Sequence, residues 1–301
     1  MNRFRQLFAV AIFASLLFSG SAKQTMRAAQ ADQAEAYVPF TLTAHNNIVV
    51  AATLNRTDTL NLMFHTAASE LALTEDAVKK SKSIKFNGTH KVKSWGGEAD
   101  SRYSQGNQVQ IGALLRDKID IWEDINSGKG TDGKFGFDFF QQRIVEIDFD
   151  QHRIALYEKL PRKAKKYDRL KIENQNGSLM VQGDCLIDGK TYTNKFLIHS
   201  GYSGGILLDD AFAASAGVDG KIKITEESSL KDSFGNTIKV KKGVMPVFAL
   251  GQAKLANMPA GFFAGVIGRQ KKSVIGCDIL WKFNLIFDLA NNDLYLALRR
   301  A

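Results

Sequence analysis

Apolar and polar positions alternate at short range through most of the chain. The runs VEIDFD (145–150), IALY (154–157), LIFDL (285–289) and LYLAL (294–298) are each of strand length. Turn-forming residues separate them, Asp150-Gln151-His152 in one place and Ala290-Asn291-Asn292 in the other. Helical spacing is confined to short pieces over 70–80, over 209–216 and just after the Gly-x-Asp triplets at 136–138 and 276–278. Only four prolines interrupt this pattern. It predicts an all-β protein of barrel-like lobes with short helices.

The same order of elements is written twice. NLMFHTAASELALTEDAV (61–78) and FLIHSGYSGGILLDDAF (196–212) each carry an apolar run ending in a histidine and a hydroxyl residue, then small residues, then a second apolar run. After the first come KSWGGEAD (93–100), VQIGALL (109–115) and KFGFDFFQQRIVEIDFDQHRIALYE (134–158). After the second come KDSFGNTIKV (231–240), FALGQAKL (248–255) and VIGCDILWKFNLIFDLANNDLYLAL (274–298). His65 to Gly136 spans 71 positions and His199 to Gly276 spans 77, whereas Gly136 to Asp148 and Gly276 to Asp288 are both 12. The surplus falls between the corner and the Gly-x-Asp, where loops lengthen without disturbing a core. An internal duplication is therefore expected, with one lobe at 38–160, a linker at 161–167 and a second lobe at 168–301.

The amino-terminal residues have another character. Arg3 and Arg5 precede an apolar run over 7–18 that is too short to cross a bilayer, and Gly20-Ser21-Ala22 has the small residues of a cleavage site. Residues 1–22 are expected to be a signal peptide and 23–37 an extension, giving a secreted or periplasmic protein. No later stretch reaches membrane-spanning length. Cys185 and Cys277 are compatible with one bridge or with two buried thiols. The net charge of +9 is dispersed over 79–80, 163–166, 239–242 and 271–272 without interleaved aromatics, a solvated basic surface rather than a nucleic-acid reader.

Together these words carry a resemblance. The apolar strand with its tight polar corner, the glycine hairpin, Phe135-Gly136-Phe137-Asp138 and Ile275-Gly276-Cys277-Asp278, and the closing Ile147-Asp148 and Phe287-Asp288 resemble the order found in aspartic peptidases of the retropepsin and pepsin type. The resemblance recurs once per lobe and covers nearly all of the chain beyond the leader. It implies two homologous lobes whose corners meet at the bottom of a cleft. In that family each corner is Asp-Thr-Gly or Asp-Ser-Gly, and two carboxylates that share a proton hold the attacking water. Here the corresponding positions are His65 and His199.

The resemblance also assigns roles to the neighbours. Thr66 and Ser200 match the hydroxyls that brace the corners, and Gly201 is kept. Ala67 stands in place of the first corner's glycine and puts a Cβ where backbone passes closely or takes positive φ. Trp95, Gly96 and Gly97, with Phe234 and Gly235, match hairpins that cover the cleft and contact an extended ligand. Gly136, Asp138, Gly276 and Asp278 match structural positions, the aspartates tying each short helix to its corner loop.

Loss of both acids favours a non-catalytic pseudopeptidase whose cleft binds an extended peptide or similar polymer. Two alternatives stay open. One is hydrolysis by the imidazoles, one ring neutral as base and the other protonated as acid. The other is a structural or assembly protein that uses the lobes only as scaffold. Two imidazoles supply fewer ligands than a stable zinc site needs, and Glu70, Asp209 and Asp210 read as helix starts, so neither metal nor cofactor is expected. Asp148 and Asp288 are expected to end strands and accept turn amides, while His45, His90 and His152 belong to no constellation.

Overall fold

The strand at 48–54 shows how the pattern folds. Ile48, Val50, Ala52 and Leu54 are buried while the residues between them are less so, because successive side chains leave a strand on opposite faces. The structure is a computed structural model that describes residues 33–94, 97–124, 130–231, 237–263 and 270–300. The expected signal peptide lies outside the described residues, as do Trp95, Gly96, Phe234 and Gly235.

In chain order the first half holds β1 (Ala36–Pro39), β2 (Thr41–Leu42), β3 (Ile48–Leu54), β4 (Asp58–Phe64), β5 (Leu71–Thr74) and the helix α1 (Glu75–Lys80). Next come β6 (Gly88–Ser94), β7 (Gly97–Ile111), β8 (Leu114–Asp124) and β9 (Gly133–Phe135). A 3-10 turn at Phe137–Phe140 leads into β10 (Ile144–Asp148) and β11 (Arg153–Tyr157), and a second, at Arg162–Lys166, forms the linker. The second half begins with β12 (Asp168–Lys171), β13 (Glu173–Gln175), β14 (Ser178–Ile187), β15 (Lys190–Ile198), β16 (Ile206–Leu207) and α2 (Asp210–Ala216). It continues with β17 (Lys223–Lys231), β18 (Thr237–Leu250), β19 (Ala253–Phe263), β20 (Ser273–Ile275), α3 (Cys277–Leu280), β21 (Phe283–Asp288) and β22 (Asp293–Leu298).

The fold is all-β with short helices. One eight-stranded sheet runs β2-β3-β4-β9-β5-β8-β7-β6, with β3 also pairing β7. The other runs β13-β14-β15-β20-β16-β19-β18-β17, with β14 also pairing β18. Both are barrel-like, and their strand orders correspond place for place. The parallel pairs β4–β9 and β5–β8 have counterparts in β15–β20 and β16–β19. A third sheet, β1-β11-β10-β21-β22-β12, takes strands from both halves, and its central pair sets Glu146 opposite Ile286.

That shared sheet is covered on both faces, which explains its nearly unbroken apolar strands. Val145, Ile147, Leu285 and Phe287 face the main core. Ile144, Tyr157, Ala164, Ile286 and Tyr295 form a smaller cluster on the reverse face. Glu146, only 1% exposed, sits on that reverse face and accepts a hydrogen bond from the Tyr157 hydroxyl at 2.7 Å and an ion pair from Lys163 at 2.6 Å. The linker is thereby fastened to the sheet. In the main core, the Phe137 ring meets Phe64 at 5.1 Å and Phe287 of the other half at 4.9 Å. Each such buried ring contributes about 1.5–3 kcal/mol through its loss of water contact.

The elements differ from the sequence expectation in two places. β1 begins at Ala36, inside the stretch read as an extension, because it is held as an edge strand with Ala36 opposite Leu156. The helix expected over 70–80 starts only at Glu75, since Leu71–Thr74 is drawn into the sheet between β9 and β8. Glu70 therefore precedes a strand, and Thr74 caps α1 by accepting the Ala77 amide at 3.1 Å. Asp209 does cap α2, accepting the Phe212 amide at 2.8 Å. Asp148 and Asp288 end β10 and β21 and accept the amides of Gln151 and Asn291 at 3.0 and 3.3 Å. Cys185 and Cys277 are two free, buried thiols.

Candidate functional site

β4 and β15 carry their apolar residues into the interior and stop at a histidine. The His65 amide donates to the Phe135 carbonyl at 2.9 Å, and the His199 amide donates to the Ile275 carbonyl at 3.0 Å. Each histidine carbonyl then accepts the amide three residues on, from Ala68 and from Tyr202, both at 3.0 Å. The two corners are thus built alike.

The next residue in each corner reaches into the other. The Thr66 amide donates to Ser200 Oγ at 2.9 Å, and the Ser200 amide donates to Thr66 Oγ1 at 3.0 Å. Thr66 Oγ1 donates to the Ile198 carbonyl at 2.8 Å, and Ser200 Oγ donates to the Phe64 carbonyl at 2.7 Å. A hydroxyl both donates and accepts, so two of them satisfy two amides and two carbonyls in a site closed to water. Both residues are buried.

This grip brings the two imidazoles together, with ring centroids 4.5 Å apart and planes inclined at 64°. His65 Nδ1 accepts the Ala67 amide at 3.2 Å, so the neutral ring carries its proton on Nε2. A Cβ on Gly201 would lie 2.3 Å from both Cδ2 and Nε2 of His65. Neither Ala67 nor Gly201 has a positive φ. The strain expected at Ala67 is therefore not there; a glycine is demanded only at 201, where the opposite imidazole needs the space.

Burial, then the neighbouring His199 and then the Lys134 charge hold the His65 ring well below the usual histidine range. Burial pushes His199 down to about 4, opposed by a backbone hydrogen bond and aided by Lys134. Among the described residues His199 Nδ1 is buried without a hydrogen-bond partner.

Lys134 was not singled out by sequence. It lies on β9 opposite Met63 of β4 and Ala72 of β5; Ala72 in turn faces Trp122 of β8, and Trp122 faces Tyr103 of β7. Cross-strand partners share a face, so these residues form one row leading away from His65. The Lys134 ammonium is paired with the Asp124 carboxylate. At the far end of the row His90 stacks on Tyr103 at 4.9 Å, so this histidine stands in an aromatic cluster. The available signal was a lysine in KFGFD where the matching segment of the second half, VIGCD, has Val274.

Asn47 was also missed. It is 1% exposed, and its Nδ2 donates to the Ser200 carbonyl at 3.0 Å and to Cys277 Sγ at 3.4 Å. Cys277 donates its thiol proton to the same carbonyl at 3.0 Å. Nothing in the residue type announces such a role.

Gly136 and Gly276 are places of close backbone approach. A Cβ would stand 1.7 Å from the Ala68 carbonyl oxygen at the first and 2.4 Å from those of Tyr202 and Gly204 at the second. The aspartates beside them do not tie each helix to its own corner. Asp138 is exposed, and Asp278 accepts from Asn46 of the other half at 3.2 Å. Backbone makes the tie instead, the Cys277 amide donating to the Tyr202 carbonyl at 2.8 Å. Gly97 opens β7 opposite Ser94, and the β6–β7 and β17–β18 hairpins hold equivalent places in the two strand orders. Neither protein-family models nor curated proteins give a match to the chain.

Proposed function

We propose that the chain is an exported, internally duplicated protein of the aspartic-peptidase type that binds an extended peptide-like ligand between its lobes without hydrolysing it. The observation that carries this reading is the reciprocal hydrogen bonding of Thr66 and Ser200, which sets His65 and His199 side by side where the family has its acid pair. The corresponding strand orders support the duplication.

The chemistry of the rings favours binding over cleavage. Hydrolysis by this pair would need one ring as base and the other as a protonated acid at working pH. Both rings titrate below the usual range, so both are neutral there. At His65 the basic lone pair of Nδ1 is already taken by the Ala67 amide. An extended segment would instead be held by strand-like pairing, the contact that the resemblance implies for Trp95, Gly96, Gly97, Phe234 and Gly235.

The test is a peptide library offered to the purified protein between about pH 4 and 7.5, spanning the histidine range. Fluorescence anisotropy is expected to report binding, and mass spectrometry no new peptide termini. Pepstatin-like compounds are expected to bind poorly, because their affinity comes from a hydroxyl placed on the acid pair. Cleavage that disappears in both His65→Ala and His199→Ala would overturn the reading.

A further inference from the structure

We infer that the second half carries a further binding place, apart from the histidine corners: a notch beside Gln182 that takes one uncharged residue of an extended polypeptide. The partner segment lends a main-chain N–H and C=O to the open edge of β14 and an apolar side chain to the cavity beside it. This site does not depend on the cleft reading.

The edge is open because β14 lacks a neighbour at one residue. β13 pairs with it as far as Met180, and β18 takes over only at Asp184. Between them β12 is drawn away to pair with β22 in the shared sheet. β18 ends in the turn through Gly251, where the Asp168 carboxylate accepts the Gln252 amide.

The two hairpins of β14 fix where the backbone of Gln182 points. Asn176-Gly177 and Asp188-Gly189 are two-residue turns with positive φ at both positions. Gln175 with Ser178, and Ile187 with Lys190, are therefore pairs that exchange both hydrogen bonds. In steps of two from each turn, the odd-numbered residues of β14 bond to β15 and the even-numbered ones turn toward β13 and β18. Gln182 is the even-numbered residue between those two strands, and neither pairs with it.

This edge borders a cavity of about 430 Å³, within the range of about 300–1,000 Å³ common for ligand pockets. Its apolar lining includes the buried Ile172, Met180 and Ala249. Ile172 and Phe40 hold corresponding places, their amides donating at 2.9 Å to the carbonyls of Asn292 and His152. In the first half the Phe40 ring packs against Phe149 and His152. The smaller isoleucine leaves room in the second.

The charges around the cavity select a neutral guest. Arg169 and Lys171 both pair with the buried Asp293, at 2.6 and 2.7 Å, and Lys195 pairs with Glu173. Asp184 accepts the Thr193 hydroxyl at 2.6 Å. An ionic ligand would have to break one of these pairings or enter without a counter-charge. A peptide unit does neither, because it exchanges one N–H and one C=O with Gln182 as a strand residue does.

The probe is N-acetyl-leucine N-methylamide, whose leucine carries that N–H and that C=O, titrated into the isotope-labelled protein and followed by NMR. It is expected to move the Gln182 amide signal saturably, together with those of Val181 and Gly183. Methylating the leucine nitrogen removes the donor and is expected to weaken binding about tenfold, and the aspartyl and lysyl analogues are expected to bind more weakly by a similar factor. Ile172→Phe gives the second half the side chain that the first half carries at this place. It is expected to abolish the shifts while leaving the far-UV circular dichroism unchanged. No saturable movement at Gln182, equal binding of the N-methylated compound, tighter binding of a charged analogue, or undiminished binding by folded Ile172→Phe would each overturn the inference. The comparison among compounds decides the matter on the unaltered protein even if the variant does not fold. Shifts confined to the His65 and His199 rings would place the probe at the corners and overturn the notch.

Discussion

At Gly201 the missing side chain makes room for the His65 ring of the opposite half. Gly201→Ala is expected to push that ring outward, moving its NMR titration toward ordinary histidine values, at a cost of about 1–3 kcal/mol in denaturation experiments. A cost without any movement of the ring would mean that the backbone had yielded instead. The rings also set a pH dependence. A histidine whose folded pKa is depressed leaves the unfolded chain binding more protons between the two values, so stability rises with pH in that window. The contribution is present above about 6.5 and is lost as pH falls toward the His199 value of about 4. His199→Gln should flatten the slope of stability against pH across that window, and an unchanged slope would show that the pair does not titrate as described. The pairing of the histidines was an expectation of the resemblance, in which two such corners meet, and the ring centroids lie 4.5 Å apart. Lys134 was not legible, since a lysine in a short strand usually reads as a solvated face, and its place opposite Met63, two residues before His65, shows only in the sheet.

Corners depend on their partners more than on their own sequence. Thr66→Val keeps the shape of the side chain but removes the acceptor of the Ser200 amide and the donor to the Ile198 carbonyl. Buried groups left unpaired cost about 1–3 kcal/mol. Ser200→Ala should cost a similar amount, and the double variant less than the sum, because the four bonds form one network. Additive losses in a double-mutant cycle would show that the two hydroxyls act independently. The strands and the short helices around these corners were legible from alternation and from acidic caps such as Asp209. β5 was not, because Leu71-Ala72-Leu73 runs straight into the helix-forming Glu75 and Asp76, and only its two neighbours in the sheet make it a strand. The ties made by Asn46 and Asn47 were hidden for a related reason: their partners, Asp278 and Ser200, lie in the other half of the chain.

The shared sheet takes strands from both halves and is expected to make them one cooperative unit. Trp122 lies in the first half and Trp281 in the second, so variants that keep only one of them as fluorophore report each half separately. Their denaturation midpoints are expected to coincide with each other and with the loss of far-UV circular dichroism. Separate midpoints would show that the β10–β21 pairing does not couple the halves. That pairing also bears on partner choice. Glu146 and Ile286 face each other at its centre and hold corresponding places, each two residues before the aspartate that ends its strand. If the first half met a second copy of itself through the same strand, Glu146 would stand beside Glu146, two carboxylates in a region where one already needs Tyr157 and Lys163 to be tolerated. Replacing one of those acids by an isoleucine removes the conflict. At this register the sheet therefore favours pairing of the unlike halves over pairing of the first half with a copy of itself.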